Sequence, residues 1–246
     1  MTETPAVLSI HAADGVGEQG VVADAGVYRE LRCRWAGVVT SVLAAGPHGI
    51  DALEPLSLGL VAQQMESVLK TCRPAAVRTG LLVGSRQVEL VAGILHECGL
   101  EPTVVAPVLR IRGERVLDDD TLAAVSRTLY PVAGVVVVRA GDVELLTSEN
   151  AEDVDGMTRA AAKLRSRGAR RVLIAGAVQG GRVVDLLDDD GTTSLFDVSR
   201  VSAPHVASLS GVHAAALAAH LARGRSLVKA VDAAQRYVGF RLQRLV

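Results

Sequence analysis

At 246 residues, nearly half of them apolar, the chain is long enough for one α/β domain spanning residues 1–246 on a single large sheet. Its 26 Lys and Arg almost balance 27 Asp and Glu, and no basic stretch is interleaved with aromatics, so nucleic acid is excluded as a partner class. Nowhere do about eighteen uninterrupted apolar residues occur, and Met1 to Pro5 carries no basic segment ahead of an apolar one, so the expectation is a cytoplasmic protein without a membrane partner.

Aromatic residues make up 2% of the chain and Trp35 is the sole tryptophan, so a planar ligand would be held by aliphatic groups or peptide planes. Cys33, Cys72 and Cys98 form no CxxC pair and are expected to be buried free thiols. His213 and His220 share a helical face with no carboxylate nearby in sequence, which favours a packed pair over a metal site.

In chain order, "AVLSIHAAD" (Ala6 to Asp14) is a β-rich run that breaks into "GVGEQG", after which "VVADAGVYRELRCR" reads as a helix. "WAGVVTSVLAAG" is a second strand, closed by Gly46 and Pro47. "SLGLVAQQMESVLKTC" sets Leu58, Val61, Met65, Val68 and Leu69 on one helical stripe, a core face. The strand "AAVRTGLLV" leads to the helix "SRQVELVAGILHECGL", which stops at Gly99. "PTVVAPVL" is a buried strand, and "DDDTLAAVSRTLYP" a helix that Asp120 is placed to cap. "AGVVVVR" is apolar almost throughout, the pattern of a strand covered on both faces. The helix "NAEDVDGMTRAAAKLRSRG", the strand "RRVLIAG" and a hairpin turning at Asp190-Gly191 follow, and helices from Ser210 to Ala222 and from Ser226 to about Leu245 finish the chain.

Strands alternating with helices imply a mostly parallel sheet with helices on both faces, and ligands in such sheets bind beyond the carboxyl ends of the strands. Candidate loops therefore follow Ile10, Leu43, Val77, Val105, Val138 and Ile174, together with the helix start at Ser210. In the first loop Asp14 and Asp24 flank several glycines; a ligand-approach loop and a tight turn with Asp14 as a capping device are both open. At "ASLSGVHAAALAA" Ser208 or Ser210 can cap the helix, and no Asp, Glu, Cys or Lys stands in that turn. Arg139 and Asp142 end the "VVVVR" segment, where Asp142 and Glu144 either hold magnesium through water or complement a helix dipole.

Taken in order, these segments resemble the ribokinase-like superfamily, and most closely the hydroxymethylpyrimidine/phosphomethylpyrimidine kinases of thiamine biosynthesis. "AADGVGEQGVVAD" lines up without a gap on the family's "GSDxxGGAGxQAD" loop, keeping Asp14, Gly17, Gly20 and Asp24. "RTGLL" (Arg78 to Leu82) stands for "K(I/T)G(M/A)L", "VVAPVL" (Val104 to Leu109) for "VxDPVM", and "LARGRSLVKAVDAAQRY" for "LAxGxxLxxAVxxAxxY". The resemblance covers nearly the whole chain and implies a three-layer αβα sandwich, an ATP- and magnesium-dependent phosphotransferase acting on a pyrimidine-like small molecule, and a homodimer. It implies that Asp14, Gly20, Asp24, Ala45, Leu81 and Val108 lie at the substrate, with Asp24 on the pyrimidine. Arg139, Asp142, Ala175 and Gly176 would lie at the nucleotide, with Asp142 at the metal.

Several polar positions of that pattern are changed. The "GTGC" anion hole falls on Ser208, Leu209, Ser210 and Gly211, so a glycine stands at the position of the base. The asparagine of "NxxE" falls on Arg139, the lysine of "KGG" on Ala175, the aspartate of "DPV" on Ala106, and a ring-binding glutamine on Ala45. A glycine relays no proton, and loss of one transition-state donor costs on the order of a hundredfold in rate. Two readings stay open: a kinase in which Arg139 replaces lost charge and His205 or His213 replaces the base, and a silent relative that binds a small ligand or a partner protein with the old pocket.

Overall fold

The computed structural model describes residues 4–17, 19–199 and 209–243. Strand β1 (Ala6–Asp14) lies inside a nine-stranded sheet. On one side it pairs in parallel with β2 (Arg34–Gly46), which turns back antiparallel into β3 (Gly49–Pro55) at the edge. On the other side come β4 (Ala76–Thr79), β5 (Thr103–Val105), β8 (Val135–Arg139) and β9 (Arg171–Gln179), all parallel. The antiparallel strands β10 (Arg182–Asp189) and β11 (Thr192–Ser199) close the far edge. A separate hairpin, β6 (Arg110–Ile111) and β7 (Glu114–Arg115), stands off the sheet.

Alternation along the strands divides the core in two. Leu8, Ile10, Val136 and Val138 face α2 (Leu58–Thr71), α3 (Ser85–Glu97), α4 (Asp119–Ala124), the short α5 (Glu144–Thr147) and α6 (Val154–Ser166). Val7, Val135 and Val137 face α1 (Gly20–Glu30), α7 (Leu209–Ala222) and α8 (Leu227–Gln243). The three-layer αβα architecture is thus present, with both faces of the parallel strands covered, which is why "VVVVR" reads as a continuous apolar run. Helix α7 is buried on all sides over Ala214 to Ala219, each fully buried, because it is packed by the sheet and by both neighbouring helices.

Several expectations are corrected. Strand β3 has no apolar alternation, since "GIDALEP" is an exposed edge strand that ends on Pro55 opposite Ser41. "PTVVAPVL" holds only three paired residues, after which Pro107 ends the ladder. The cap of α4 is Asp118, whose Oδ1 accepts from the Thr121 N–H at 2.8 Å; Asp120 already lies inside the helix. Of the thiols only Cys33 is buried; Cys72 is half-buried and Cys98 exposed, because the latter two follow the last turns of surface helices. The hairpin turn at Asp190-Gly191 is present, both residues having positive φ.

Candidate functional site

The strand order reverses at β1, whose two parallel neighbours lead the chain away in opposite directions, and a cavity of about 230 Å³ opens over the carboxyl ends there. It lies on the α1/α7 side: β1 contributes His11, β4 Arg78, the segment after β5 Ala106 to Gly113, β8 Val137 and Arg139, and β9 Ala175. Helix α1 adds Gly20 and Asp24, and α7 adds Gly211 and Val212.

Among the described residues Arg78 is the largest fully buried side chain, at 1% exposure. Such a charge must be paired, and Asp24, also 1% exposed, provides the partner: Arg78 Nη1 donates to Asp24 Oδ2 at 2.9 Å, and Ser9 Oγ donates to the same oxygen. Burial raises the Asp24 pKa, opposed by Arg78 and Ser9. The other end of the guanidinium points to α7, where a Cβ on Gly211 would sit 3.7 Å from Arg78 Nη2.

His11 lies beside this pair. Its Nδ1 accepts the N–H groups of Ala12 at 2.7 Å and Leu81 at 3.2 Å, so in the neutral ring the proton sits on Nε2 and that atom is a donor. Burial and the charge of Arg78 hold its pKa well below the usual histidine value, so the ring is neutral at pH 7. Gly80 is required there, since a Cβ would fall 2.1 Å from the imidazole. At the opposite end of the cavity Asp142 stands between two cations: Arg110 Nη1 is 3.7 Å from Oδ1 and Arg139 Nε is 3.5 Å from Oδ2. Burial raises the Asp142 pKa against the pull of Arg139 and Arg110.

Of the positions singled out in the sequence, Gly20, Asp24, Ala106, Val108, Arg139, Asp142, Ala175 and Gly211 line the cavity. Asp14 is instead the turn device: its carboxylate accepts from the Val16 and Gln19 N–H groups, each at 3.2 Å, and Gln19 precedes α1. Leu81 is fully buried in the α2/α3 core and touches the site only through its backbone N–H on His11. Ala45 sits at a bulge opposite Ile50, packed on the same core. The N–H of Gly176 donates to Asp185 Oδ1 at 2.7 Å, behind the cavity wall. Leu209 and Ser210 begin α7, whereas Ser208 and His205 lie outside the described residues.

His213 is buried and faces Asp185, with Nδ1 3.6 Å from Oδ2. The carboxylate absent from its sequence neighbourhood is thus supplied by β10. Burial raises the Asp185 pKa, countered first by His213 and then by the Gly176 N–H. His11, Arg78 and Arg110 also line the cavity, and the sequence does not single them out as site residues. The available signal was an arginine inside "AAVRTGLLV", a charge in a strand that must be buried and hence must find a partner.

The resemblance implies a nucleotide-borne magnesium ion, and the donor set here does not fit one. Among the described lining residues Asp142 is the one carboxylate beside Arg110 and Arg139, and the two guanidinium groups flanking it oppose a dication there.

Comparison with known proteins gives consistent neighbours. A family model of phosphomethylpyrimidine kinase matches residues 14–244. The chain is 33% identical over 235 residues to a hydroxymethylpyrimidine/phosphomethylpyrimidine kinase of Streptomyces coelicolor, covering 95% of this chain and 87% of that protein. Its counterpart in Bacillus subtilis is 29% identical over 234 residues, covering 94% and 86%. Among solved structures, an ADP complex of Bacillus subtilis pyridoxal kinase superposes with a TM-score of 0.88 at 25% identity, covering 95% of this chain and 90% of that one. The Staphylococcus aureus pyridoxal kinase with AMP-PCP and pyridoxal gives a TM-score of 0.88 at 24% identity, covering 96% and 87%, a likeness of fold.

Proposed function

Because this chain belongs to the phosphomethylpyrimidine kinase family, we propose that it keeps the family pocket as a binding site for a pyrimidine-like small molecule but does not transfer a phosphoryl group. One observation carries the reading: the position where the family resemblance puts the proton-accepting side chain is Gly211, and it looks onto the buried guanidinium of Arg78. A guanidinium there accepts no proton, and its charge disfavours protonation of a neighbouring acceptor.

Among the described residues, the other titratable groups of the cavity do not replace the base. His11 presents a donor, Asp24 is bound to Arg78 and Ser9, and Asp142 lies between Arg110 and Arg139. His213, behind the wall, is turned to Asp185. General-base catalysis needs an acceptor within hydrogen-bond reach of the attacking hydroxyl; His11 presents a donor, the two lining aspartates each face a guanidinium that lowers their basicity, and His213 does not line the cavity. Loss of several catalytic groups in one site leaves little rate, though the losses do not add.

A pyrimidine-sized ring fits the features that remain. Gly20, Val108, Val137 and Ala175 give small apolar walls, while the His11 Nε2–H and the Asp24 carboxylate offer a donor and an acceptor at the inner end. ATP as co-substrate, the homodimer and the cytoplasmic location enter from the family and not from this geometry. Among the described residues no helix is long and apolar enough to cross a membrane.

The test has two parts. Incubated with ATP, magnesium and hydroxymethylpyrimidine or its monophosphate, protein at substrate-level concentration should release no ADP above a protein-free blank. Either pyrimidine should raise the melting temperature in a concentration-dependent way, since a ligand that binds only the native state stabilises it. Stoichiometric ADP formation overturns the silent reading; an unchanged melting temperature overturns the binding reading.

A further inference from the structure

The arginine-rich end of the cavity has no role in the reading above, which recognises only a ring. Among the described residues the cavity is lined by four arginines, Arg78, Arg110, Arg112 and Arg139, against two aspartates. We infer that this end binds a phosphate group without a divalent cation, Arg110 and Arg139 supplying the positive charge that a magnesium ion brings to phosphoryl sites. The inference rests on the pocket being a ligand site and names the charged half of what enters it.

Asp142 does not satisfy the two arginines. Its oxygens stand 3.7 Å from Arg110 Nη1 and 3.5 Å from Arg139 Nε, beyond the roughly 2.7–2.9 Å of a charge-assisted hydrogen bond. Asp142 Oδ1, buried, has no hydrogen-bond partner at all. The carboxylate therefore offsets charge without using up the guanidinium N–H groups, and both arginine side chains keep 38% of their surface exposed. A planar guanidinium fork matches phosphate oxygens in pairs, which a point charge cannot do.

The same arrangement disfavours the metal. Magnesium demands near-octahedral oxygen donors and is commonly held by one or two carboxylates besides phosphate and water. Here the single nearby carboxylate faces two cations, so a dication entering next to Asp142 meets net repulsion, whereas a dianion is attracted from both sides. A neutral asparagine at position 139, as in the family pattern, would leave that charge for the metal to supply. The arginines also start near their working positions. Arg139 ends a central strand, and the hairpin carrying Arg110 is tied down where Glu114 Oε1 accepts from the Ile50 N–H at 3.3 Å and Arg115 Nε donates to the Leu117 carbonyl at 2.7 Å. Preorganisation of this kind lowers the cost of binding.

Calorimetric titration in excess EDTA with three probes tests the inference: inorganic phosphate, hydroxymethylpyrimidine monophosphate and ADP. At least one should bind, with affinity unchanged or weakened when magnesium replaces EDTA, and the tightest of the three identifies whether the phosphate is free, on a pyrimidine or on a nucleotide. Arg139→Asn should weaken that binding by about ten- to a hundredfold in EDTA, the loss expected for charged hydrogen bonds. Arg110→Gln gives a second variant on a separate element, and circular dichroism melting checks that both fold. Binding of every probe only with magnesium, no binding of any, or parent-like affinity in both folded variants overturns the inference. ADP formation in the turnover assay would sink the silent reading and leave metal-free binding intact, so the two failures are distinguishable.

Discussion

Gly20 cannot carry a side chain. Its φ is +71°, and a Cβ would lie 2.0 Å from the carbonyl oxygen of Ala12, because the first loop doubles back to bridge Ala13 and Gly20 before α1 begins. The close approach lets the start of α1 form a cavity wall, so the glycine serves the site through the backbone. Gly20→Ala should cost about 2 kcal/mol or more, from strain at positive φ added to overpacking. Gly26, in the same helix, has nothing within 4 Å of its added Cβ and an ordinary helical φ. Gly26→Ala should therefore stabilise by about 0.4–1 kcal/mol, and urea unfolding of both variants reads the contrast. At Arg78 the same scale explains a conflict of local preference: a charge inside a four-residue strand is tolerated because Asp24 on α1 pairs with it, the carboxylate in turn accepting from the Ser9 hydroxyl on β1.

Element boundaries follow local chemistry where a side chain closes a backbone group. Three consecutive aspartates stand at the start of α4, and "DDDTLAA" does not say which one caps it. The structure assigns Asp118, because its extended backbone puts Oδ1 over the Thr121 N–H while Asp119 and Asp120 continue into the first turn, where their charge complements the helix dipole. Asp118→Ala should lower stability by about 1 kcal/mol, and Asp120→Ala by no more than about 0.5 kcal/mol, in the same denaturant assay. The β6–β7 hairpin is a harder case. Its turn residues Arg112 and Gly113 both have positive φ, yet "RIRGER" has neither apolar alternation nor enough length to read as strands.

For the whole molecule, pH dependence separates buried bases from buried acids. Burial, with Arg225 and Arg223, pushes His220 down to about 4, and burial with Arg78 holds His11 well below its ordinary value. The unfolded chain takes up a proton at each of these rings near pH about 6.5, and the native state refuses it. More protons are then bound unfolded than folded, so these groups make stability fall as pH drops from about 6.5, for His220 down to about 4. Asp24, Asp142 and Asp185, whose values are raised by burial, act in the opposite sense: their contribution diminishes as pH rises from the ordinary carboxylate range through the raised values. The histidine part is isolated by comparison. Between pH 7 and pH 5 the parent should lose more stability than His220→Gln in guanidinium unfolding; parallel losses would rule out His220 as a source of the slope. By itself the sequence determined the alternation of strand and helix, the two covered faces of the sheet, the turn at Asp190-Gly191 and the family, because periodicity, turn chemistry and motif order are local and additive along the chain. Only the tertiary structure decided that Arg78 meets Asp24 fifty-four residues away, that His213 faces Asp185, and that Arg110 and Arg139 converge on Asp142. Charges separated in sequence are paired by the crossing of strands and helices, and no local pattern encodes which buried charge will find which partner.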